Sequence, residues 1–380
     1  MQYRKSGNLE WKLSALGFGC MRLPTKDGQR LSPNIVEDEA IRMIRHAIDS
    51  GVNYVDTAYP YHSGQSEIVL GKALLNDYRE KVNLATKLPV WMVESPDDFD
   101  RLLGEQLQKL QTNHIDFYLF HALNKSRWHD IVLKHKLLDK AAAAKADGRI
   151  RYIGFSFHDD YESFEEIVNG TDLWDFCQIQ YNYMDTENQA GTRGLKLAAS
   201  KGLAVVVMEP LLGGRLVDPP KDVREAMEAF HVKRTPAEWA LQWLWDHPEV
   251  SVVLSGMSTM EQVEENLKFA DASRIGVFGE AEHELIARIR EMYRARTVIA
   301  CTKCGYCMPC PNGVNIPANF DYFNHAHLFD DVTGARIKYQ LMLTEQQRAG
   351  SCIECGTCVE LCPQKIPISE WLQKVAALLS

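Results

Sequence analysis

The chain has 380 residues, of which 46% are hydrophobic and 24% are charged. This is ordinary globular composition, too apolar for a disordered chain, and the length predicts about two domains. The net charge of -9, with no clustering of Lys and Arg, argues against a nucleic-acid-binding protein, because contacts to phosphates need a basic face.

The N-terminal segment has no apolar core of the kind found in signal peptides. The longest charge-free apolar stretch, residues 203–208, is far shorter than the about 18 residues that a membrane-spanning helix needs. We therefore expect a cytoplasmic protein with no membrane association.

Residues 1 to about 290 alternate short apolar runs with amphipathic helical patterns. In chain order the runs cover residues 15–18, 52–55, 82–85, 115–120, 150–155, 176–179, 203–207 and 250–254. This alternation predicts a parallel sheet with strands buried on both faces. Eight units in about 270 residues predict an α/β fold of the (β/α)8 TIM-barrel type, since no glycine fingerprint of an open dinucleotide-binding sheet follows the first strand. One helix is predicted to begin at Pro236, after the N-cap residue Thr235.

The sequence changes character at about residue 297. Two versions of one cysteine module, CTKCGYCMPCPNGVNIP and CIECGTCVELCPQKIP, begin at Cys301 and Cys352 and flank a helical pattern over 319–347. The repeat predicts a domain boundary, with one domain at 1–296 and a small, mainly helical one at 297–380.

Cysteine spacing in the second module is that of a [4Fe-4S] ferredoxin. Its cysteines are Cys352, Cys355, Cys358 and Cys362, and a proline follows the last. Three closely spaced thiolates can wrap over three corners of one cluster, while the fourth ligates the other cluster. The first module is one residue shorter between Cys307 and Cys310, which leaves open whether Cys310 reaches the second cluster.

Zinc is the alternative for these cysteines, because paired C-x2-C sequences also form zinc ribbons. Zinc takes four ligands, however, and has no need of two triplets that each end in Cys-Pro. Disulfides are a weaker alternative in a long chain without an export signal. The other two cysteines, Cys20 and Cys177, lie in or beside apolar strands and are predicted to be inert core residues.

Polar residues that follow the predicted strands are the candidates for catalysis, because the active site of a TIM barrel lies at the C-terminal ends of its strands. These candidates are Asp56, Tyr61, Lys87 and His121. Three of them follow successive strands and should be neighbours, and Tyr61 is a short loop away. Each alone also has a purely structural explanation, as a turn cap, a packed ring, a solvated charge or a core histidine.

Together with their flanking segments, these residues resemble the aldo-keto reductase superfamily. The matching segments include GFGCMRLP, DSGVNYVDTAYPYHSGQSEIVLGKAL, LATKLP, IDFYLFH, GRIRYIGFS, QIQYN, EPLLGG and STMEQVEENL, over about residues 8 to 270. The C-terminal region is similar to dicluster ferredoxins with a helical insert. The resemblance implies an NAD(P)-dependent oxidoreductase that interconverts a carbonyl and an alcohol on a small-molecule substrate, fused to two [4Fe-4S] clusters.

The resemblance also implies the catalytic roles. Tyr61 is the proton donor in reduction, Lys87 is expected to lower its pKa, Asp56 holds the lysine, and His121 donates a hydrogen bond to the substrate oxygen. Rim loops at 91–96, 123–131 and 216–223 are predicted to shape the substrate pocket.

Cofactor-binding residues implied by the resemblance are Ser156, Gln178, Met208, Glu265 and Asn266. The arginine and lysine that usually hold a 2′-phosphate are Gln262 and Gly256 here, so the choice between NADP and NAD stays open.

The cluster ligands follow from the same resemblance. One cluster is assigned Cys301, Cys304, Cys307 and Cys362, and the other Cys352, Cys355, Cys358 and Cys310. Two other functions remain as alternatives: a redox-sensing or regulatory module, and an electron-transfer subunit that exchanges electrons with an external one-electron carrier protein. An intact set of catalytic residues weighs against the first, because a binding module has no need of a tyrosine beside a lysine.

Overall fold

Eight short strands rich in Val, Ile, Leu and Phe form a closed parallel barrel. In the computed structural model, which describes residues 1–29, 31–301 and 304–380, each strand pairs with the next along the chain, and the last pairs with the first. The strands are β3 (Leu16–Gly19), β4 (Tyr54–Asp56), β5 (Asn83–Leu88), β6 (Ile115–Leu123), β7 (Ile150–Phe157), β8 (Phe176–Gln180), β9 (Ala204–Met208) and β10 (Val250–Gly256). The predicted (β/α)8 barrel is confirmed.

An antiparallel hairpin precedes the barrel and was not predicted. Its strands are β1 (Tyr3–Lys5) and β2 (Lys12–Ser14). They are short and mostly polar, so they carry no hydrophobic alternation that would reveal them. Arg4, which is 8% exposed, anchors the hairpin by donating hydrogen bonds to the carbonyl oxygens of Trp245 and His247, each at 2.8 Å.

Fifteen α-helical segments are present among the described residues. They are α1 (Glu37–Asp49), α2 (Gln65–Ala73), α3 (Asp97–Leu110), the short turn α4 (Lys125–Arg127), α5 (Leu137–Ala146), α6 (Tyr161–Asn169), α7 (Gly191–Ser200), α8 (Lys221–Ala229), α9 (Pro236–Trp245), α10 (Met260–Asp271), α11 (Glu280–Arg294), α12 (Ile316–Leu328), α13 (Val332–Met342), α14 (Thr357–Glu360) and α15 (Ile368–Leu379). The predicted helix start at Pro236 is confirmed. Within the described ranges, no helix is both long and apolar enough to cross a membrane.

Side chains from most of the barrel strands fill the barrel interior. The buried cluster there consists of Leu13, Tyr54, Ala85, Phe117, Leu119, Phe176, Ala204, Val206, Val252 and Leu254. This packed core leaves the C-terminal ends of the strands as the place for polar groups. The strand register pairs Gly19 with Asp56 and Ser156 with Gln178, which brings the candidate site residues to one rim.

The chain divides into two structural units. The first consists of residues 1–213 and 237–279 and contains the barrel, and the second consists of 214–236 and 280–380 and contains the clustered cysteines. The second unit therefore begins earlier than residue 297 and includes α8 and α11. The division at 1–296 and 297–380 stays a prediction about the sequence domains.

Helices α12, α13 and α15 form the core of the second unit, as the mainly helical pattern predicts. Its fully buried side chains include Val314, Ile316, Phe320, Tyr339 and Val375. Tyr339 ties the helices together, because its hydroxyl donates to Asn319 Oδ1 at 2.9 Å and accepts from the backbone N–H of Ala349 at 2.8 Å.

Candidate active site

A buried ion pair lies at the ends of two neighbouring barrel strands. Lys87 Nζ donates to Asp56 Oδ1 at 2.6 Å and to the carbonyl oxygen of Thr57 at 2.7 Å, and the Lys87 and Asp56 side chains are only 1% and 2% exposed. Burial disfavours the charge on Lys87, but Asp56 and Tyr61 outweigh it and raise its pKa. Lys87 is therefore an ammonium at neutral pH.

Tyr61 lies directly beside this ammonium. Lys87 Nζ is 5.0 Å from the centroid of the Tyr61 ring. Burial raises the pKa of the Tyr61 phenol, Lys87 lowers it and Asp56 raises it, and the net direction is upward. The expected effect of Lys87 is thus present, but burial outweighs it, so Tyr61 is a neutral phenol with a proton to give.

A left-handed backbone segment follows Tyr61. His62, Ser63 and Gly64 have φ values of 52°, 54° and 89°, and each non-glycine residue in this conformation costs roughly 1–2 kcal/mol. His62 is 1% exposed, and its Nδ1 donates to the carbonyl oxygen of Ser32 at 2.7 Å. This contact anchors the strained turn that carries Tyr61.

His121 completes the group. Its ring centroid is 6.0 Å from that of Tyr61, edge to face, and 5.0 Å from that of Trp91. Burial, reinforced by Lys87, lowers the pKa of His121 well below its ordinary value, so the imidazole is neutral at pH 7. Among the described residues its Nδ1 has no hydrogen-bond partner. The structure therefore brings all four predicted catalytic residues together.

Ser156, Gln178 and Met208 lie together on the adjoining strands. Gln178 Nε2 donates to Met208 Sδ at 3.7 Å, while its buried Oε1 has no partner among the described residues. Ser156 Oγ accepts from the backbone N–H of Ala122 at 2.7 Å and can still donate one hydrogen bond. An unpaired amide oxygen beside a hydroxyl donor fits a ligand with a primary carboxamide, such as nicotinamide.

The two predicted residues at the adenine end differ in their surroundings. Asn266, on α10, is 5% exposed and donates to Ser255 Oγ at 3.0 Å, so it joins the helix to β10. Glu265 is exposed. Gln262 lies in the first turn of α10. Its Oε1 accepts from the backbone N–H of Ser258 at 2.8 Å, so the Gln262 side chain caps the start of this helix.

Arg22 occupies the space beside Gly256. A Cβ at position 256 would lie 3.2 Å from Arg22 Cδ and 3.3 Å from its Cβ and Cγ. A lysine at this position would press on the Arg22 side chain. Glycine replaces the expected lysine at position 256, and the Arg22 side chain, which follows β3, supplies a positive charge beside that position instead.

Four of the C-terminal cysteines line one cavity. They are Cys301, Cys304, Cys307 and Cys362, and the apolar residues Ile316, Phe320, Ile366 and Ile368 share the lining. These are the four cysteines that the ferredoxin resemblance assigns to one cluster. The cavity thus joins three cysteines of the first module to the last cysteine of the second.

The other four cysteines also lie near one another. Burial raises the pKa of Cys358, and the nearby sulfurs of Cys352, Cys310 and Cys355 raise it further. Cys310 is therefore on the side of the second module despite its short spacing from Cys307. Within residues 1–29, 31–301 and 304–380, no three His, Cys, Asp or Glu side chains lie close enough together to hold a single metal ion.

Both cysteine modules turn at an equivalent glycine. Gly305 follows Cys304 and Gly356 follows Cys355, and both have φ of 78°. Only glycine adopts this conformation without strain. In the second module the backbone N–H of Glu354 also donates a hydrogen bond to Cys352 Sγ at 3.4 Å. Residues 302 and 303 of the first module lie outside the described residues.

Comparison with known proteins decides the family. The profile of the aldo/keto reductase family matches residues 15–291. The chain belongs to this family. A second profile, the 4Fe-4S dicluster domain, matches residues 300–366. The fused arrangement predicted from the sequence is confirmed, and the protein is an oxidoreductase of the aldo-keto reductase type.

Relatives of this aldo-keto reductase come from bacteria and plants. It is 27% identical over 310 residues to the uncharacterized oxidoreductase YqkF of Bacillus subtilis, covering 72% of this chain and 93% of that protein. It is 29% identical over 287 residues to the L-galactose dehydrogenase of Arabidopsis thaliana, covering 70% and 87%. The solved structure of aldo-keto reductase AKR11C1 from Bacillus halodurans superposes with a TM-score of 0.63 at 26% identity, covering 76% and 96%.

A buried polar network behind Lys87 was not singled out from the sequence. Glu67, which is fully buried, accepts from Thr86 Oγ1 at 2.7 Å and Gln106 Nε2 at 2.7 Å. Gln106 Nε2 also lies 3.1 Å from the Lys87 carbonyl oxygen. The network fixes the backbone of β5 at the lysine of this aldo-keto reductase. Its only sequence signal is a glutamate on the apolar side of a helical pattern.

Proposed function

We propose that this aldo-keto reductase interconverts a carbonyl compound and its alcohol with NADH or NADPH, and that its C-terminal domain holds two [4Fe-4S] clusters. The observation that carries the proposal is the buried Lys87–Asp56 pair beside the Tyr61 ring, with a neutral His121 facing the same ring. An ion pair with a purely structural role would not require a phenol and an imidazole beside it, so this combination favours catalysis.

The residues divide the proton chemistry between them. When bound, the nicotinamide supplies the hydride for reduction or accepts it in oxidation. The Tyr61 hydroxyl gives a proton to the carbonyl oxygen, and the charge of Lys87 stabilises the phenolate left behind. Asp56 keeps Lys87 charged and in place. His121, being neutral, donates a hydrogen bond to the oxygen as negative charge develops on it.

Cofactor binding is assigned to two groups of residues. Ser156 and Gln178 would hold the carboxamide, and Met208 would offer an apolar, polarizable surface beside the ring. Glu265 and Asn266 are assigned to the adenine end. Neither Gly256 nor Gln262 offers a cation for a 2′-phosphate, but the Arg22 side chain lies beside Gly256, so we expect both NADH and NADPH to be used.

The clusters are assigned to the cysteines by the grouping described above. Cys301, Cys304, Cys307 and Cys362 would hold one cluster, and Cys352, Cys355, Cys358 and Cys310 the other. Thiolates are the ligands that iron–sulfur clusters require, and the apolar cavity lining would keep water from the first of them.

Steady-state turnover tests the enzymatic part of this proposal. The full-length protein, purified without oxygen, is given butanal or benzaldehyde with NADH or NADPH, and cofactor oxidation is followed. We expect aldehyde-dependent oxidation with both cofactors and, in the reverse direction, alcohol-dependent cofactor reduction. A protein that binds both cofactors and turns over no aldehyde or alcohol would contradict the proposal and support a sensing role.

A further inference from the structure

An arginine lies at the rim of the catalytic group, and among the described residues it pairs with no carboxylate. The Arg127 guanidinium carbon is 5.0 Å from the centroid of the Trp91 ring, and the same ring lies 5.0 Å from that of His121. Arg127 and His121 are therefore separated by a single indole. The imidazole would bind a substrate carbonyl, and the guanidinium is close enough that a short carbon chain could reach from one to the other.

The guanidinium is held in place but is not neutralised. Arg127 Nη1 donates to the carbonyl oxygen of Ala122, the residue after His121, at 2.6 Å. In the part of the chain that the structure describes, no carboxylate pairs with it. Arginine keeps its charge in proteins and carries five N–H donors in a planar fork. Most of its donors thus remain for a ligand.

The neighbours of Arg127 favour a small anion with an apolar body. Trp91 is 42% exposed, so its ring is open to a ligand on the path between Arg127 and His121. Lys87 and His121 add no negative charge, and Asp56 is already paired with Lys87. A single guanidinium matches a carboxylate bidentately, whereas a phosphate dianion would leave a charge without a second cation.

We infer that Arg127 binds a carboxylate of the substrate, so that the natural substrates are short carbonyl compounds that carry a carboxylate a few carbons from the reacting carbonyl. The carbonyl oxygen faces Tyr61 and His121, the carbon chain lies along Trp91, and the carboxylate accepts hydrogen bonds from Arg127. This inference rests on the proposed function and names the substrate class of the same site.

A matched pair of aldehydes tests the inference on the unmodified enzyme. Succinic semialdehyde and butanal have the same carbon chain and differ in one terminal carboxylate. Because a hydrogen bond to a charged group contributes more than a neutral one, we expect kcat/KM to be about 10- to 100-fold higher for succinic semialdehyde, mainly through a lower KM. Equal values for the two aldehydes would overturn the inference.

Variants at Arg127 then assign the preference to this side chain. Arg127→Met should reduce the ratio of the two kcat/KM values to about one, and Arg127→Lys, which keeps the charge but loses the fork, should restore part of it. Arg193→Met is the control, because Arg193, on α7, also lies over a partly exposed aromatic ring, that of Tyr161 at the start of α6, at 3.7 Å. It should leave the ratio at the wild-type value.

The outcomes separate this inference from the proposed function. If neither aldehyde is reduced by the wild-type enzyme with either cofactor, the proposed function fails. If butanal is reduced and Arg127→Met keeps the wild-type preference for succinic semialdehyde, the substrate carboxylate is bound elsewhere in the enzyme. The inference is then wrong. If Arg127→Met does not fold, the Arg127→Lys ratio decides, since an unchanged ratio there overturns the bidentate contact.

Discussion

The Tyr61 oxygen is the atom on which the proposed chemistry depends. Tyr61→Phe removes the proton donor and keeps the ring that packs beside Lys87 and His121. A positioned acid contributes about 10²- to 10⁴-fold to the rate, so we expect kcat for aldehyde reduction to fall by that factor while cofactor affinity, measured by fluorescence titration, stays nearly constant.

Tyr59→Phe is the control for that experiment. Tyr59 is two residues away, and its hydroxyl donates to Glu105 Oε2 at 2.7 Å outside the catalytic group. Removal of this hydroxyl should leave kcat at the wild-type value. Wild-type turnover by Tyr61→Phe would show that another group donates the proton.

The pH dependence of reduction follows from two pKa directions. Burial holds the pKa of His121 below its ordinary value and that of Tyr61 above it. Above the first pKa His121 is neutral, and below the second Tyr61 keeps its proton. We therefore expect kcat for reduction to be level between about pH 6 and 9 and to fall only at higher pH, and alcohol oxidation to rise with pH over the same range.

Lys87→Met provides the comparison for this pH profile. Without the ammonium the pKa of Tyr61 should rise further, which moves the rise in alcohol oxidation to higher pH in a profile measured alongside the wild type. A fall in reduction near pH 6.5 that disappears in His121→Asn would instead mean that His121 is protonated in the working range.

At the scale of residues, the sequence predicts which side chains meet but not their protonation. Asp56, Lys87 and His121 follow three successive strands, and a parallel barrel necessarily brings such positions to one rim. The net pKa of Tyr61 depends on how deeply the finished structure buries it. The same holds for Arg127, because the contact with Trp91 joins two rim loops whose course has no periodic signal.

Among the elements, the cysteine loops depend on a glycine conformation. Gly356 has φ of 78°, and a Cβ there would meet no atom of the described residues within 4 Å, so Gly356→Ala tests backbone strain without a clash. Alanine in this region costs about 1–2 kcal/mol. We expect faster loss of iron to a chelator under anaerobic conditions than in the wild type.

Gly350→Ala is the matched control in the same unit. Gly350 also has open space around it but does not have a positive φ. Its substitution should leave the rate of iron loss unchanged. Equal rates for Gly356→Ala and the wild type would show that the left-handed turn does not limit cluster retention.

The element pattern explains where prediction from sequence succeeds. Strands such as Ile115–Leu123 and Ala204–Met208 are predicted because they are apolar runs buried on both faces. The hairpin strand Tyr3–Lys5 is missed, since its stability comes from one buried arginine at position 4 that bonds to distant carbonyl groups. Likewise, the assignment of α8 and α11 to the cysteine-containing unit depends on long-range packing.

At the scale of the whole molecule, metal content tests the cysteine assignment. Protein purified without oxygen should contain about eight iron and eight sulfide per chain, as two four-iron clusters require. Cys310→Ser should lower the iron content of the chain toward about half if Cys310 ligates the second cluster. Stoichiometric zinc without iron would contradict the assignment, and four iron in the wild type would mean that the short first module supports only one cluster.

The relation between hydride transfer and the clusters is the last property of the whole chain to be tested. A nicotinamide gives up two electrons together as a hydride, whereas each cubane accepts one, so direct transfer would require an unfavourable nicotinamide radical. A flavin normally bridges such a mismatch, and no segment of the sequence is typical of flavin binding. We therefore predict that the clusters do not take electrons directly from the nicotinamide, and that they stabilise a small domain or serve an external one-electron carrier.

Anaerobic mixing with excess NADH or NADPH, followed through the visible absorption of the clusters, should show no bleaching within the turnover time, with dithionite-reduced protein as the reference for full reduction. Bleaching in flavin-free protein at the rate of turnover would show that the hydride site and the clusters exchange electrons.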